Sequence, residues 1–329
     1  MAPCRDIAYY SPRDSIIVAV KLWDWKEVDV AAIAEKVPGY SRRSVDSVLM
    51  AGLGVLCFSL TLPATRAADP ALGSIVVGLG RAVVAAVLAG LLLWFKREPL
   101  PARRHWPGLA IVAVDVVVGF PLCSALALQH LPAAHGAVVT GLVPAATAVM
   151  AVWRAGEKPP RLFWVGVVAG VIAVLIFAAV QGAGHPQTAD LLLLAAVAFA
   201  GLGYAEGGRL ARELGGWRVI CWALVLSAPF LVLPVALSLP RPGTVIPPSA
   251  WLGFAYVSCV SMFLGFFAWY RGLALGGVAR IGQIQLVQPV LTLGWSALLL
   301  GERVTPTTVV AALLVVGSAA LSQLKRLSH

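Results

Sequence analysis

The sequence predicts an all-α polytopic membrane protein, with ten transmembrane helices arranged as two inverted five-helix repeats. The first observation is composition. Of 329 residues, 60% are apolar and 12% charged, at a mean hydropathy of +0.87, where soluble domains carry roughly 25% charged residues. So few charges cannot clothe a water-soluble particle of 34.4 kDa, which excludes a soluble enzyme, a disordered chain and a secreted disulfide scaffold. The second is apolar runs long enough to cross a bilayer, and the third is a motif that occurs twice.

A helix needs ~20 apolar residues to cross ~30 Å of hydrocarbon. Ten runs meet that length: 47–68, 73–95, 107–128, 133–153, 162–181, 189–209, 216–238, 250–270, 279–300 and 307–324. None alternates with the period of a barrel strand, so helices are left to satisfy the backbone in lipid. Thr305 before Pro306 reads as the N-cap and first residue of span ten, and Pro160 as a start signal for span five. Pro247 and Pro248 precede span eight.

Charge sets the orientation. Residues 1–46 hold seven basic and seven acidic side chains, so the net +10 belongs to the apolar part. With the N-terminus inside, seventeen Lys and Arg fall on the cytoplasmic side. They are Lys36, Arg42, Arg43, Lys96, Arg97, Arg103, Arg104, Arg154, Lys158, Arg161, Arg209, Arg212, Arg218, Arg271, Arg280, Lys325 and Arg326. Only Arg66, Arg241 and Arg303 fall outside. That bias places both termini in the cytoplasm and the chain in the cytoplasmic membrane as a multi-pass protein. Basic residues confined to short loops control topology and form no stripe for nucleic acid, so no nucleic-acid partner is expected. The five cysteines are scattered singly, as small buried hydrophobes.

Shifting the chain by 145 residues brings Pro144, Thr147, Gly156 and Glu157 onto Pro289, Thr292, Gly301 and Glu302, with Lys158 on Arg303. The repeats are then 47–182 and 183–329. Five spans per half is an odd number, so the second copy enters the membrane upside down. Glu157 falls at the cytoplasmic face and Glu302 at the outer face. Inverted repeats are the architecture of alternating-access carriers.

The residues "GRAVVAAVLAGLLLWF" around Arg81, "LPAAHGAVVTGLVPAATAVMAVWRAGEKPP" and "RGLALGGVARIGQIQLVQPVLTLGWSALLLGERVTP" resemble the drug/metabolite transporter superfamily, in its EamA-type ten-helix branch. The resemblance covers roughly residues 47–325. It implies an export-type carrier of small metabolites with a cavity lined mainly by the first four spans of each half. Two features depart from it. Leu56–Ser59 stands where the family often has a Trp-Gly pair, and the first 46 residues have no counterpart.

Charges inside spans are costly and functional. Arg81 lies inside span two and Asp115 inside span three; they either pair and lock the two helices, or leave one free for substrate or a proton. Glu206 near the inner end of span six is either an i, i+3 partner of Arg209 or a protonatable carboxylate at the inner mouth. Gln283, Gln285 and Gln288 precede Pro289 on span nine; Gln285 and Gln288 share a face, and the proline bends the helix. They either bond neighbouring helices or face a watery cavity. Thr140 is the repeat partner of Gln285, and Val143 that of Gln288. In the aromatic-rich span eight, Trp251, Trp269 and Tyr270 fit an interface belt, whereas Tyr256, Ser258 and Ser261 are cavity candidates, with Tyr204 of span six. Gly166/Gly170 and Gly203/Gly207 are close-packing faces, compatible with a monomer or a homodimer. His130 and His135 lack ligand partners at metal spacing, so neither a metal nor a cofactor is expected. Catalysis is not expected either: Asp115 has no second Asp for a dyad, and neither G-x-S-x-G nor H-E-x-x-H occurs.

The leading segment 1–46 reads as a cytosolic piece that loosely resembles a helix-turn-helix, with no signal peptide. Together these readings predict a secondary transporter exporting amino acids or related amphipathic solutes, with proton coupling through a buried carboxylate. The competing reading is a membrane-anchored sensor or scaffold with residues 1–46 as its output segment.

Overall fold

The computed structural model describes residues 42–155, 161–181 and 187–323. The helix-turn-helix-like reading of the first 41 residues, and the motif residues Gly156 and Glu157, lie outside them. Among the described residues all regular structure is helical. The helices are α1 (Val45–Leu72), α2 (Val76–Phe95), α3 (Arg103–Leu128), α4 (Ala133–Trp153), α6 (Thr188–Leu214), α7 (Gly216–Leu237) and α8 (Pro248–Gly276), with α5 (Arg161–Gln181) and α10 (Pro306–Gln323). The run α9 is composite: Val278–Ile281, a 3-10 stretch Gly282–Val287 and an α-helix Gln288–Leu300. Seven helices are long and apolar enough to cross a membrane; α5, α9 and α10 carry shorter apolar stretches.

The packing obeys one symmetry. Helix α2 lies on α7, α4 on α9 and α5 on α10. Helix α1 packs on α8 and α9, as α6 packs on α3 and α4; α2 meets α8, as α7 meets α3. Adding five to every number in these pairs returns the same pairs, whereas α10 also packs on α4 and α9. Consecutive spans run antiparallel, so a helix and its counterpart five places on point opposite ways. The two-repeat membrane fold read from the doubled motif is therefore present in the packing.

Local backbone repeats the symmetry. A π-helical stretch interrupts α3 at Ala113–Gly119 and α8 at Tyr256–Leu264; the 145-residue shift carries the first into the second. Helix α4 breaks at Gly141–Leu142, and α9 is 3-10 at the matching place. Pro144 and Pro289, which follow these breaks, have no N–H to bond the preceding turn. Instead the Gln288 N–H bonds the Gln285 carbonyl three residues back.

Two three-helix groups emerge. Within the group α3/α4/α6, a methyl added at Gly201 would lie 2.8 Å from Ala146 on α4. Within the group α1/α8/α9, one added at Gly272 would lie 2.8 Å from the Ala51 nitrogen on α1. Small residues thus let backbones touch inside each group.

Helix ends are closed as their sequences direct. The Thr308 N–H donates to Thr305 Oγ1 at 3.2 Å, so Thr305 caps α10. The Glu302 carboxylate accepts the Ala133 and Ala134 N–H groups at 2.9 and 2.8 Å, capping α4 from the other half of the chain. Helix α2 ends in a Schellman motif, with Arg97 N–H to Trp94 C=O and Glu98 N–H to Leu93 C=O, both at 3.0 Å. Its left-handed residue is Arg97, at φ 49°, where glycine fits without strain. We expect Arg97→Gly to stabilise the protein by roughly 1 kcal/mol, read as a raised Tm in detergent.

Candidate functional site

The two groups face each other across a central cavity. Its wall takes Phe58, Thr61 and Leu62 from α1, Arg81 from α2, Val116 and Phe120 from α3, and Thr140 and Val143 from α4. It takes Tyr204 from α6, Ser261, Met262 and Phe266 from α8, and Gln285 and Gln288 from α9. Room for the centre of a water molecule amounts to about 20 Å³, little more than one water. The site is closed around itself.

Six of the residues singled out in the sequence meet here: Arg81, Thr140, Tyr204, Ser261, Gln285 and Gln288. Arg81 is 1% exposed, and its Nε and Nη2 have no hydrogen-bond partner. The Tyr204 hydroxyl faces Gln285 and Arg81. Gln285 donates to Gln288 Oε1 at 3.3 Å, since the 3-10 turn stacks residues three apart; Gln285 Oε1 has no partner. Ser261 and Thr61 share a bond of 2.7 Å, and Thr140 bonds back to the Gly136 carbonyl at 2.8 Å. The side chain of Gln283 lies outside the described residues.

Four other candidates lie off the cavity wall. The Asp115 Cβ lies against α6, 3.0 Å from a methyl added at Gly203, and its Oδ2 has no partner. Among the described residues no ion pair joins Arg81 to Asp115, so the locked pair weighed as one reading of the sequence is not formed. Glu206 is 1% exposed and bonds Arg209 at 2.6 Å, packing against Gly108 of α3. Tyr256 donates to the Cys57 carbonyl at 2.9 Å, and Ser258 to the Phe254 carbonyl at 2.6 Å.

Both ends of the cavity are shut by contacts between the two groups. Towards the Lys/Arg-rich end stands an aromatic plug. Tyr204 of α6 packs across the groups on Phe58 of α1 and on Phe266 and Trp269 of α8, at 6.3, 6.1 and 5.5 Å between ring centroids. The Tyr270 hydroxyl donates to the Gly203 carbonyl at 3.2 Å. Trp269 and Tyr270 are fully buried, which corrects their reading as an interface belt: α8 continues to Gly276, so both sit short of its end. Beyond the plug, within the group α3/α4/α6, Glu213 of α6 meets Arg104 at 3.4 Å and His105 at 3.1 Å.

At the opposite end, Arg66 of α1 donates to the Leu128 carbonyl of α3 at 2.7 Å. Glu302 holds the start of α4, and Leu62, Leu128, Ala133 and Leu300 form an apolar cluster across the groups. Within the group α3/α4/α6, His135 bonds Asp190 at 2.6 Å, both buried. Sequence reasoning missed this pair because 55 residues separate its members.

Two inverted five-helix halves around a buried polar cavity define a membrane carrier fold. The chain matches the EamA-like transporter family over residues 47–179 and 187–324; it belongs to that family and is a membrane transporter. It is similar to the uncharacterized transporter YdeK of Bacillus subtilis, at 48% identity over 77% of this chain and 88% of the relative. It is also similar to the uncharacterized protein PA1977 of Pseudomonas aeruginosa, at 30% identity over 86% and 96%. The aromatic amino acid exporter YddG of Salmonella typhimurium is 26% identical over 79% and 90%. One solved crystal structure shares the fold at a TM-score of 0.62 and 18% identity, covering 87% of this chain and 99% of that one.

The plug leaves no spare volume at Gly207, where an added Cβ would lie 2.3 Å from the Tyr270 ring. Gly207→Ala should therefore cost about 1–3 kcal/mol by overpacking. Tyr270→Leu should restore part of it, so a double-mutant cycle on Tm in detergent should return a favourable coupling between the two sites.

Proposed function

We propose that the protein exports small organic metabolites, amino acids or related amphipathic solutes, across the cytoplasmic membrane by alternating access. The observation that carries this reading is one cavity closed at each end by a different set of contacts between the same two helix groups. Parting the aromatic plug opens the cavity to the Lys/Arg-rich side. Parting Arg66 and Glu302 from α3 and α4 opens it to the other. The bias of Lys and Arg makes the first side the cytoplasm, with both termini there. A relative that exports aromatic amino acids supports the substrate class, as do Phe58, Phe120, Tyr204 and Phe266 around a few polar groups. The same reading divides the chain into repeats at 47–182 and 183–329.

Proton coupling belongs to this reading through Asp115, 4% exposed with an unpartnered oxygen. A carboxylate is costly to keep charged in lipid. It closes neutral and ionises when its end of the carrier admits water.

Purified protein in vesicles should move a labelled aromatic amino acid, and a protonophore should abolish accumulation against a gradient. An intact signal from a sensor with no flux of any solute would sink the carrier reading.

The Glu302 closure is testable separately. Glu302→Gln weakens the cap on α4, a change worth about 1 kcal/mol, and shifts the closed population by roughly fivefold. With the native cysteines replaced, Thr140→Cys should react with an impermeant maleimide from the outer side correspondingly faster in Glu302→Gln. Unchanged labelling in a folded protein would remove Glu302 from the closure.

A further inference from the structure

We infer that Arg81 is the recognition site for a carboxylate on the cargo, so that the transported solute is a monoanionic or zwitterionic acid and not its amide or amine. The inference rests on the carrier reading and adds the chemistry that selects the solute.

Arg81 is a cation at the centre of the helix bundle, 1% exposed, on the wall of the cavity. Its Nε and Nη2 donate to nothing. An unpaired buried charge is costly and calls for a partner. Among the described residues no ion pair joins Arg81 to a carboxylate, and every other polar group on the wall is neutral. Two of those, Thr61 and Ser261, are already bonded to each other. A guanidinium edge with free N–H groups matches the two oxygens of a carboxylate in a fork. A phosphate monoester brings nearly two negative charges, more than the single cation on this wall balances. Gln285 Oε1, also without a partner, lies on the same wall and can accept an N–H from an ammonium group. Phe58, Phe120 and Phe266 supply the surface for an apolar body.

The test uses the full-length chain in detergent and in vesicles. The probes are the twenty common amino acids and 3-phenylpropionate, each beside its carboxamide, with 2-phenylethylamine as a cation control. Thermal shift should show at least one acid binding tenfold or more tighter than its amide. Arg81→Gln should abolish that preference. Arg81→Lys, which keeps the charge but loses the fork, should weaken the acid about tenfold and serves where Arg81→Gln does not fold. Amides binding as well as acids throughout, no acid binding at all, or a folded Arg81 variant with the preference intact would each overturn the inference. Acids that bind through Arg81 but never cross the vesicle membrane would instead overturn the carrier reading and leave the anchor standing.

Discussion

The contact between the groups α1/α8/α9 and α3/α4/α6 is the constraint on which the rest of the structure depends. Inside each group, glycines bring backbones so close that a single methyl would collide, as at Gly201 on Ala146 and Gly272 on Ala51. Such packing is dense and does not deform continuously. Between the groups α4 packs on α9 and Gly207 approaches the Tyr270 ring, with aromatic rings at one end and a carboxylate cap, an arginine and four apolar side chains at the other. On the proposed alternating-access reading each group moves whole, and motion at either end breaks contacts that side chains can remake.

Energies at the two ends are of comparable size. Aromatic pairs add about 0.5–1.5 kcal/mol each beyond their burial, and charge-assisted hydrogen bonds contribute about 1.5–3 kcal/mol. Neither set is large against the few kcal/mol that separate states in a conformational equilibrium. The exposed ion pairs around Glu213 add little. On the proposed reading, a solute that fills the cavity and satisfies Arg81 would therefore shift the balance, because its contacts would be strongest where both groups enclose it.

Much of this was legible in the chain. Pro144 and Pro289 marked the two helix breaks because a missing N–H has one local consequence wherever it falls. Arg81, Gln285 and Gln288 were legible because polar groups in lipid need a reason to be there. The Gly-Glu motif was visible as a repeat, but its partner was not: Glu302 caps a helix that begins 169 residues earlier in sequence. The aromatic plug was hidden for a similar reason. Trp269 and Tyr270 lie near the end of an apolar run, and a run gives no sign of where its helix ends or which rings from α1 and α6 meet it. The place of Asp115 against Gly203 of α6 was hidden too, since it depends on which helix packs on α3. Local rules expose what a residue needs; only the packing says who supplies it.

Symmetry and its violation divide the work. The two-fold relates α3 to α8 down to their π-helical stretches, and it relates the break in α4 to that in α9. On the proposed reading that equivalence would make an outward form the near mirror of an inward one, which two unrelated halves would not provide. The binding wall departs from it. Gln285 and Gln288 stand where the first half has Thr140 and Val143, and the 145-residue shift carries Arg81 on α2 to Leu226 on α7. A symmetric wall would place two like charges across the axis and repel itself in lipid. One cation on one side gives the cavity a direction, so on the proposed reading a bound solute has a single polar end to satisfy. Under that reading the repeat supplies the two states and the asymmetric residues select what is carried between them.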